Sequence, residues 1–104
     1  MSLLQIDAAG FNEAIKSESP VLVKLFATWC GPCKMLTPVV EKVADEIKGV
    51  AFVELDIDKS PEIPTQLHIS GVPTMIMFKN GTELGRLVGY NNEEAVKEFV
   101  TKYS

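Results

Sequence analysis

Cysteine, histidine and tryptophan are scarce in this chain, with two, one and one among 104 residues. Two cysteines, Cys30 and Cys33, cannot build a disulfide scaffold. A bridge between them closes too short a loop to restrain much of the unfolded chain. Basic residues are also few: Lys and Arg total 10 against 14 Asp and Glu, for a formal net charge of -4. That balance excludes non-specific nucleic-acid binding, which needs a basic footprint. No apolar run approaches the roughly 20 residues needed to span a bilayer, so no membrane span is expected. The stretch M1-S-L-L-Q-I-D7 lacks the basic flank and long apolar region of a secretory signal, and the expected compartment is the cytoplasm. Repeats, linkers and low-complexity tracts are missing too. What remains is 46% hydrophobic and 23% charged, a composition that supports one folded domain over residues 1–104.

Hydrophobic patterning gives an order of elements. Leu3 to Ile6 reads as a short strand and Asp7 as a helix N-cap, with Phe11, Ala14 and Ile15 on one helical face. V21-L-V-K-L-F26 is apolar on both faces apart from one lysine, the pattern of a central strand covered on both sides. A helix is predicted over Met35 to Lys48, ended by Gly49. A strand is predicted over Ala51 to Asp58, with Val53, Leu55 and Ile57 alternating against Glu54, Asp56 and Asp58. A short helical piece follows around Thr65 to His68. Asn80-Gly81 between two strand patterns signals a hairpin. Asn91 with Glu94 three residues on marks the start of a last helix, whose apolar stripe is Ala95, Val96, Phe99, Val100 and Tyr103. The expected fold class is α/β, with a central mixed β-sheet flanked by helices on both faces.

Both cysteines fall where the central strand gives way to a helix, in F26-A-T-W-C-G-P-C-K-M35. A helix N-terminus offers unpaired N–H groups and a partial positive potential that stabilise a thiolate. Pro32 suits the first helical turn, where a missing N–H costs nothing, and Gly31 leaves the approach to Cys30 uncluttered. In this geometry Cys30 sits at the edge and Cys33 inside the first turn. Cys30 is therefore the expected attacking thiol and Cys33 the resolving one. The competing reading is half a zinc site. Structural zinc takes four protein ligands, and only His68 and carboxylates remain to complete the set. His68 reads as an ordinary, partly exposed histidine.

The W29-C-G-P-C33 motif, followed by Lys34, Met35 and Pro38, resembles the thioredoxin family nearly end to end. V72-P-T74 is similar to that family's cis-proline segment, with Pro73 facing the cysteines. F78-K-N-G81 is similar to its hairpin, and Gly89 to the glycine beside its substrate-binding surface. The resemblance implies a thioredoxin fold and general reduction of protein disulfides through Cys30 and Cys33, with no bound cofactor and no metal. The partners implied are oxidised client proteins and an NADPH-dependent thioredoxin reductase. A monomer is expected. Val72, Thr74 and Gly89 are the implied client surface, and Trp29 is expected to shield the thiol and touch clients. A binding or assembly module without turnover is the alternative.

One position departs from the resemblance. The family usually carries a buried aspartate on the central strand beneath the disulfide, and the matching residue here is Lys24. Its usual lysine partner on the neighbouring strand matches Glu54. A charge pair of inverted polarity is one reading, with Lys24 and Glu54 modulating the cysteines. The other has Lys24 snorkelling to solvent.

Overall fold

The computed structural model describes residues 3–104; of the expected domain, Met1 and Ser2 lie outside the described residues. Among the described residues five strands form one sheet: β1 (Leu4–Gln5), β2 (Val21–Phe26), β3 (Ala51–Asp56), β4 (Thr74–Lys79) and β5 (Thr82–Val88). Their order across the sheet is β1-β3-β2-β4-β5. β2 runs parallel to β3 and antiparallel to β4, and β1 is parallel to β3. The helices among the described residues are α1 (Ala8–Ala14), α2 (Gly31–Glu46), α3 (Glu62–Gln66) and α4 (Glu93–Tyr103). All six residues of β2 are buried, as its two-sided apolar pattern requires of a middle strand. Leu22, Met75 and Met77 pack under Leu36, Val40 and Val43 of α2 and Val96, Phe99 and Val100 of α4. The opposite face packs Val21, Val23, Leu25 and Leu55 against Phe11 of α1 and Ile63 of α3. The α/β class with a mixed sheet covered on both faces stands.

Several boundaries differ from the sequence expectation, each for a local reason. α2 begins at Gly31 rather than Met35, because Cys30 caps it with its own sulfur. It stops at Glu46, since Ile47 is already extended (φ -105°, ψ 120°), and Gly49, at φ +83°, serves the turn beyond. β3 ends at Asp56 instead of Asp58. Asp56 is buried, and its carboxylate accepts the backbone N–H groups of Asp58 at 2.9 Å and Lys59 at 3.4 Å, turning the chain. α3 opens at Glu62 rather than Thr65, because Pro64 falls in the first turn, where no N–H is needed. The cap of α4 is Asn92, which accepts from Ala95 N at 2.9 Å. Asn91 is instead turned back, donating its amide to the carbonyl oxygen of Gly89 at 3.2 Å. Asp7 caps α1 as expected, accepting from Gly10 N.

Asn80 and Gly81 carry φ of +54° and +78° at the β4–β5 tip, the two left-handed residues that a type I′ hairpin demands. On β5, Gly85 is needed for a different reason. A Cβ there would come within 2.6 Å of Tyr103 Cζ, because the tyrosine ring lies close against that bare backbone. The same ring meets Phe99 edge-on, at 5.5 Å between centroids. Gly85→Ala is expected to cost about 1–3 kcal/mol by overpacking. In a Tyr103→Ala background the same change should cost little, so the two effects are non-additive. Urea denaturation of the four proteins checks this, and additive costs would contradict it.

Candidate active site

The C-terminal ends of the parallel strands β2 and β3 lie side by side, with Phe26 in register with Asp56. The chain leaves β2 through Ala27 and Thr28 and enters α2 at the cysteines. Cys30 keeps extended backbone (φ -90°, ψ 111°), and its Sγ accepts the Cys33 N–H at 3.1 Å. A thiolate on Cys30 would be held by that same N–H and by the helix dipole. Cys30 and Cys33 are joined as a disulfide, with Cα atoms 5.3 Å apart. Cys30 is 5% exposed and Cys33 only 1%, so Cys30 presents the more accessible sulfur. Gly31 and Pro32 are exposed. A Cβ on Gly31 would touch nothing within 4 Å, so the approach is open whatever small residue stands there.

Across from the cysteines lies Val72–Pro73, a cis peptide bond. Val72 packs beside the cluster of Phe26, Ala27, Cys30 and Cys33, and its carbonyl oxygen is 3.7 Å from Cys30 Sγ. Its backbone N–H has no partner among the described residues. Gly89, at φ +84°, donates its N–H to the Pro73 carbonyl at 2.8 Å, tying β5 to this segment. Thr74 differs from its expected surface role. It is 2% exposed and its hydroxyl donates to Gly71 O at 2.7 Å, so it braces the loop from below. Trp29 is 68% exposed, and its indole N–H donates to Asp58 at 2.9 Å. Met35, Val88 and Tyr90 are further exposed apolar side chains, on the first turns of α2 and on either side of Gly89. Sequence reasoning missed Asp58; parallel pairing of β2 and β3 was the signal, since it brings the residues after both strands together.

Lys24 is 1% exposed and does not snorkel. Its ammonium donates to Thr37 Oγ1, lies 3.5 Å from Glu54 Oε2, and sits 5.4 Å from the centre of the Phe26 ring. Burial pushes the Lys24 pKa below its ordinary 10.5, and Glu54 opposes that shift. Thr37, also missed, ties this pair to the cysteine helix by donating to Cys33 O at 3.1 Å. Thr37 stands four residues after Cys33, hence directly above it on the helix. A cavity of about 210 Å³ opens beside the pair, lined by Phe26, Thr28, Cys33, Lys34, Thr37 and Glu54.

His68 is exposed, in a left-handed turn at φ +56°. Among the described residues no group of three or more His, Cys, Asp or Glu side chains is placed to hold a metal ion, so the zinc reading has no ligand set. Among them, too, no helix is long and apolar enough to cross a membrane.

Comparison with known proteins gives a consistent result. The sequence model of the family described as Thioredoxin matches residues 2–102. The chain is 45% identical over 98 residues to a thioredoxin of Chlamydia trachomatis, covering 94% of this chain and 95% of that one. It is 41% identical over 91 residues to a bifunctional thioredoxin reductase/thioredoxin of Mycobacterium leprae, covering 86% of this chain and 20% of that one. Among solved structures, Plasmodium falciparum thioredoxin superposes with a TM-score of 0.91 at 31% identity, covering 98% of this chain and all of the other.

Proposed function

The chain belongs to the thioredoxin family, and from that premise we infer that it reduces the disulfides of client proteins and is recharged by a thioredoxin reductase. Its activity is dithiol–disulfide exchange at the Cys30–Cys33 pair, without a bound cofactor. The Cys30 thiolate attacks one sulfur of a client disulfide, and the other client sulfur leaves as a thiolate. Cys33 then attacks Cys30 Sγ, the second client sulfur leaves, and Cys30–Cys33 closes. Two electrons pass to the client, and the reductase returns two. The observation that carries this reading is the capping of α2 by Cys30, with the Cys33 N–H on its sulfur.

Around that sulfur, Trp29, Val72 and Gly89 form the client-facing rim. The unpartnered Val72 N–H and its carbonyl offer an extended client segment a strand-like contact beside Cys30. The reductase as partner is supported by the Mycobacterium leprae relative, whose name joins the two activities. The cytoplasm is the proposed location, where the pair would be kept reduced between turnovers. The test is insulin reduction driven by NADPH and a thioredoxin reductase, with dithiothreitol as a substitute donor. Sustained turnover is expected. No turnover with either donor would leave the alternative, a binding or assembly module with the same surface.

A further inference from the structure

Resolution of the mixed disulfide poses a proton problem that the geometry of Cys30 does not address. Cys33 is almost fully buried, yet it must lose its thiol proton before it can attack. The α2 N-terminus serves Cys30, whose sulfur takes the Cys33 N–H. Something else has to receive the Cys33 proton. The cavity lined by Cys33 is lined by Glu54 as well. At about 210 Å³ it has room for several water molecules, each taking roughly 30 Å³, and it has polar groups to hold them.

We propose that Glu54 is the proton acceptor for Cys33, acting through water in the cavity they both line, and that Lys24 is the positioning residue that holds its carboxylate in place. The proposal rests on the reductase reading above. In the step, the Cys33 thiol proton passes through water to the Glu54 carboxylate. The Cys33 thiolate attacks Cys30 Sγ, forming the Cys30–Cys33 bond as the Cys30–client bond breaks. The electron pair leaves on the client sulfur as a thiolate, and the Glu54 carboxylic acid then gives its proton back to solvent.

The alternative acceptor is a neutral Lys24 amine. Burial does favour that form, but the geometry is against it. The Lys24 amine is engaged by Thr37, Glu54 and the Phe26 ring, and Lys24 is not among the residues lining the cavity. Glu54 reaches the cavity, and its carboxylate has lone pairs to spare after pairing with Lys24. Among the described residues, Glu54 faces Lys24 from β2 and shares the cavity wall with Lys34, while Asp56 stands two residues along β3 and Glu41 of α2 acts on Lys24. From β1 the register neighbour is the uncharged Gln5. Among the described residues Lys24 is the one in ion-pair contact.

The experiment is single-turnover oxidation of the reduced protein by excess of a peptide carrying one disulfide, followed by the fluorescence of Trp29, the chain's sole tryptophan. At saturating peptide the rate is that of resolution. In the parent it should fall toward acid pH. Glu54→Gln should slow it about 10²-fold at neutral pH, the scale of a lost general base, and should move that acid limb to higher pH, where solvent hydroxide takes the Cys33 proton. The paired variant Lys24→Met with Glu54→Gln, which leaves no unpaired buried charge, should show the same change. Lys24→Met alone should keep the limb in place. A parental profile in Glu54→Gln would overturn the proposal, as would a slower rate with the acid limb unmoved, which marks a structural role only. A moved limb in Lys24→Met but not in Glu54→Gln would make the Lys24 amine the acceptor instead. If Cys33→Ser fails to capture the peptide at all, the reductase reading fails and the proposal with it.

Discussion

Cys33→Ser is expected to accumulate a covalent mixed disulfide between Cys30 and its clients, while Cys30→Ser captures none. Both variants should lose catalytic turnover of insulin entirely. The asymmetry follows from where α2 begins. Cys30 stands outside the helix, with the more accessible sulfur and a donated N–H; Cys33 stands one turn in, at 1% exposure. Without Cys33, the intermediate has no internal thiol to resolve it. Without Cys30, the remaining thiol is shielded from any client-sized disulfide. Mass spectrometry of trapped complexes identifies the bonded cysteine. A trap formed equally well through Cys33 would refute the assignment.

Lys24→Ala is expected to be the most destabilising single change at the site. It removes one partner of a buried ion pair and leaves Glu54 uncompensated, a loss of about 3–5 kcal/mol. Lys24→Met with Glu54→Gln should recover most of that, since two neutral side chains of similar size replace the two charges. The pair also makes stability depend on pH. Burial holds the Lys24 pKa below 10.5, so between that lowered value and 10.5 the unfolded chain binds more protons at this lysine than the folded one. The parent should therefore gain stability relative to Lys24→Met as pH rises through that window. Urea midpoints of parent and variants from neutral to alkaline pH measure both effects. A Lys24→Ala midpoint close to the parent's would mean that the ion pair carries no stability.

Much of this architecture was legible in the residues. The buried run Val21 to Phe26 could only be a middle strand, Asn80-Gly81 could only be a tight hairpin, and the cysteines fell on a strand-to-helix junction. The errors have a common physical origin, in side chains that bond the backbone locally. Alternation sets Asp56 opposite Val53, Leu55 and Ile57 in a strand running to Asp58, but its carboxylate collects two N–H groups and closes β3 early. Asn91 and Asn92 are both competent caps, and only the turn at Gly89, which claims the Asn91 amide, decides between them. The resemblance implies Thr74 in the client surface, and its side chain is turned inward, the hydroxyl donating to Gly71.

The polarity of the buried pair shows the other limit. The family resemblance implies Lys24 and Glu54 as neighbours on adjacent strands and leaves two fates open, pairing or snorkelling. Register brings them abreast across β2 and β3, but the choice depends on what roofs them. Thr37, presented by α2 four residues after Cys33, accepts the ammonium and leaves it no reason to reach for solvent. That contact joins residues far apart in sequence and could not be read from either strand alone.

The identity of the attacking sulfur is the claim on which the rest depends, and a brief alkylation pulse tests it most directly. The protein is fully reduced, freed of reductant, exposed at pH 7 to a limiting amount of iodoacetamide, and mapped by mass spectrometry. Modification at Cys30, with Cys33 unmodified until the protein is unfolded, is the result this account predicts. Equal labelling of the two cysteines, or labelling of Cys33 first, would contradict it.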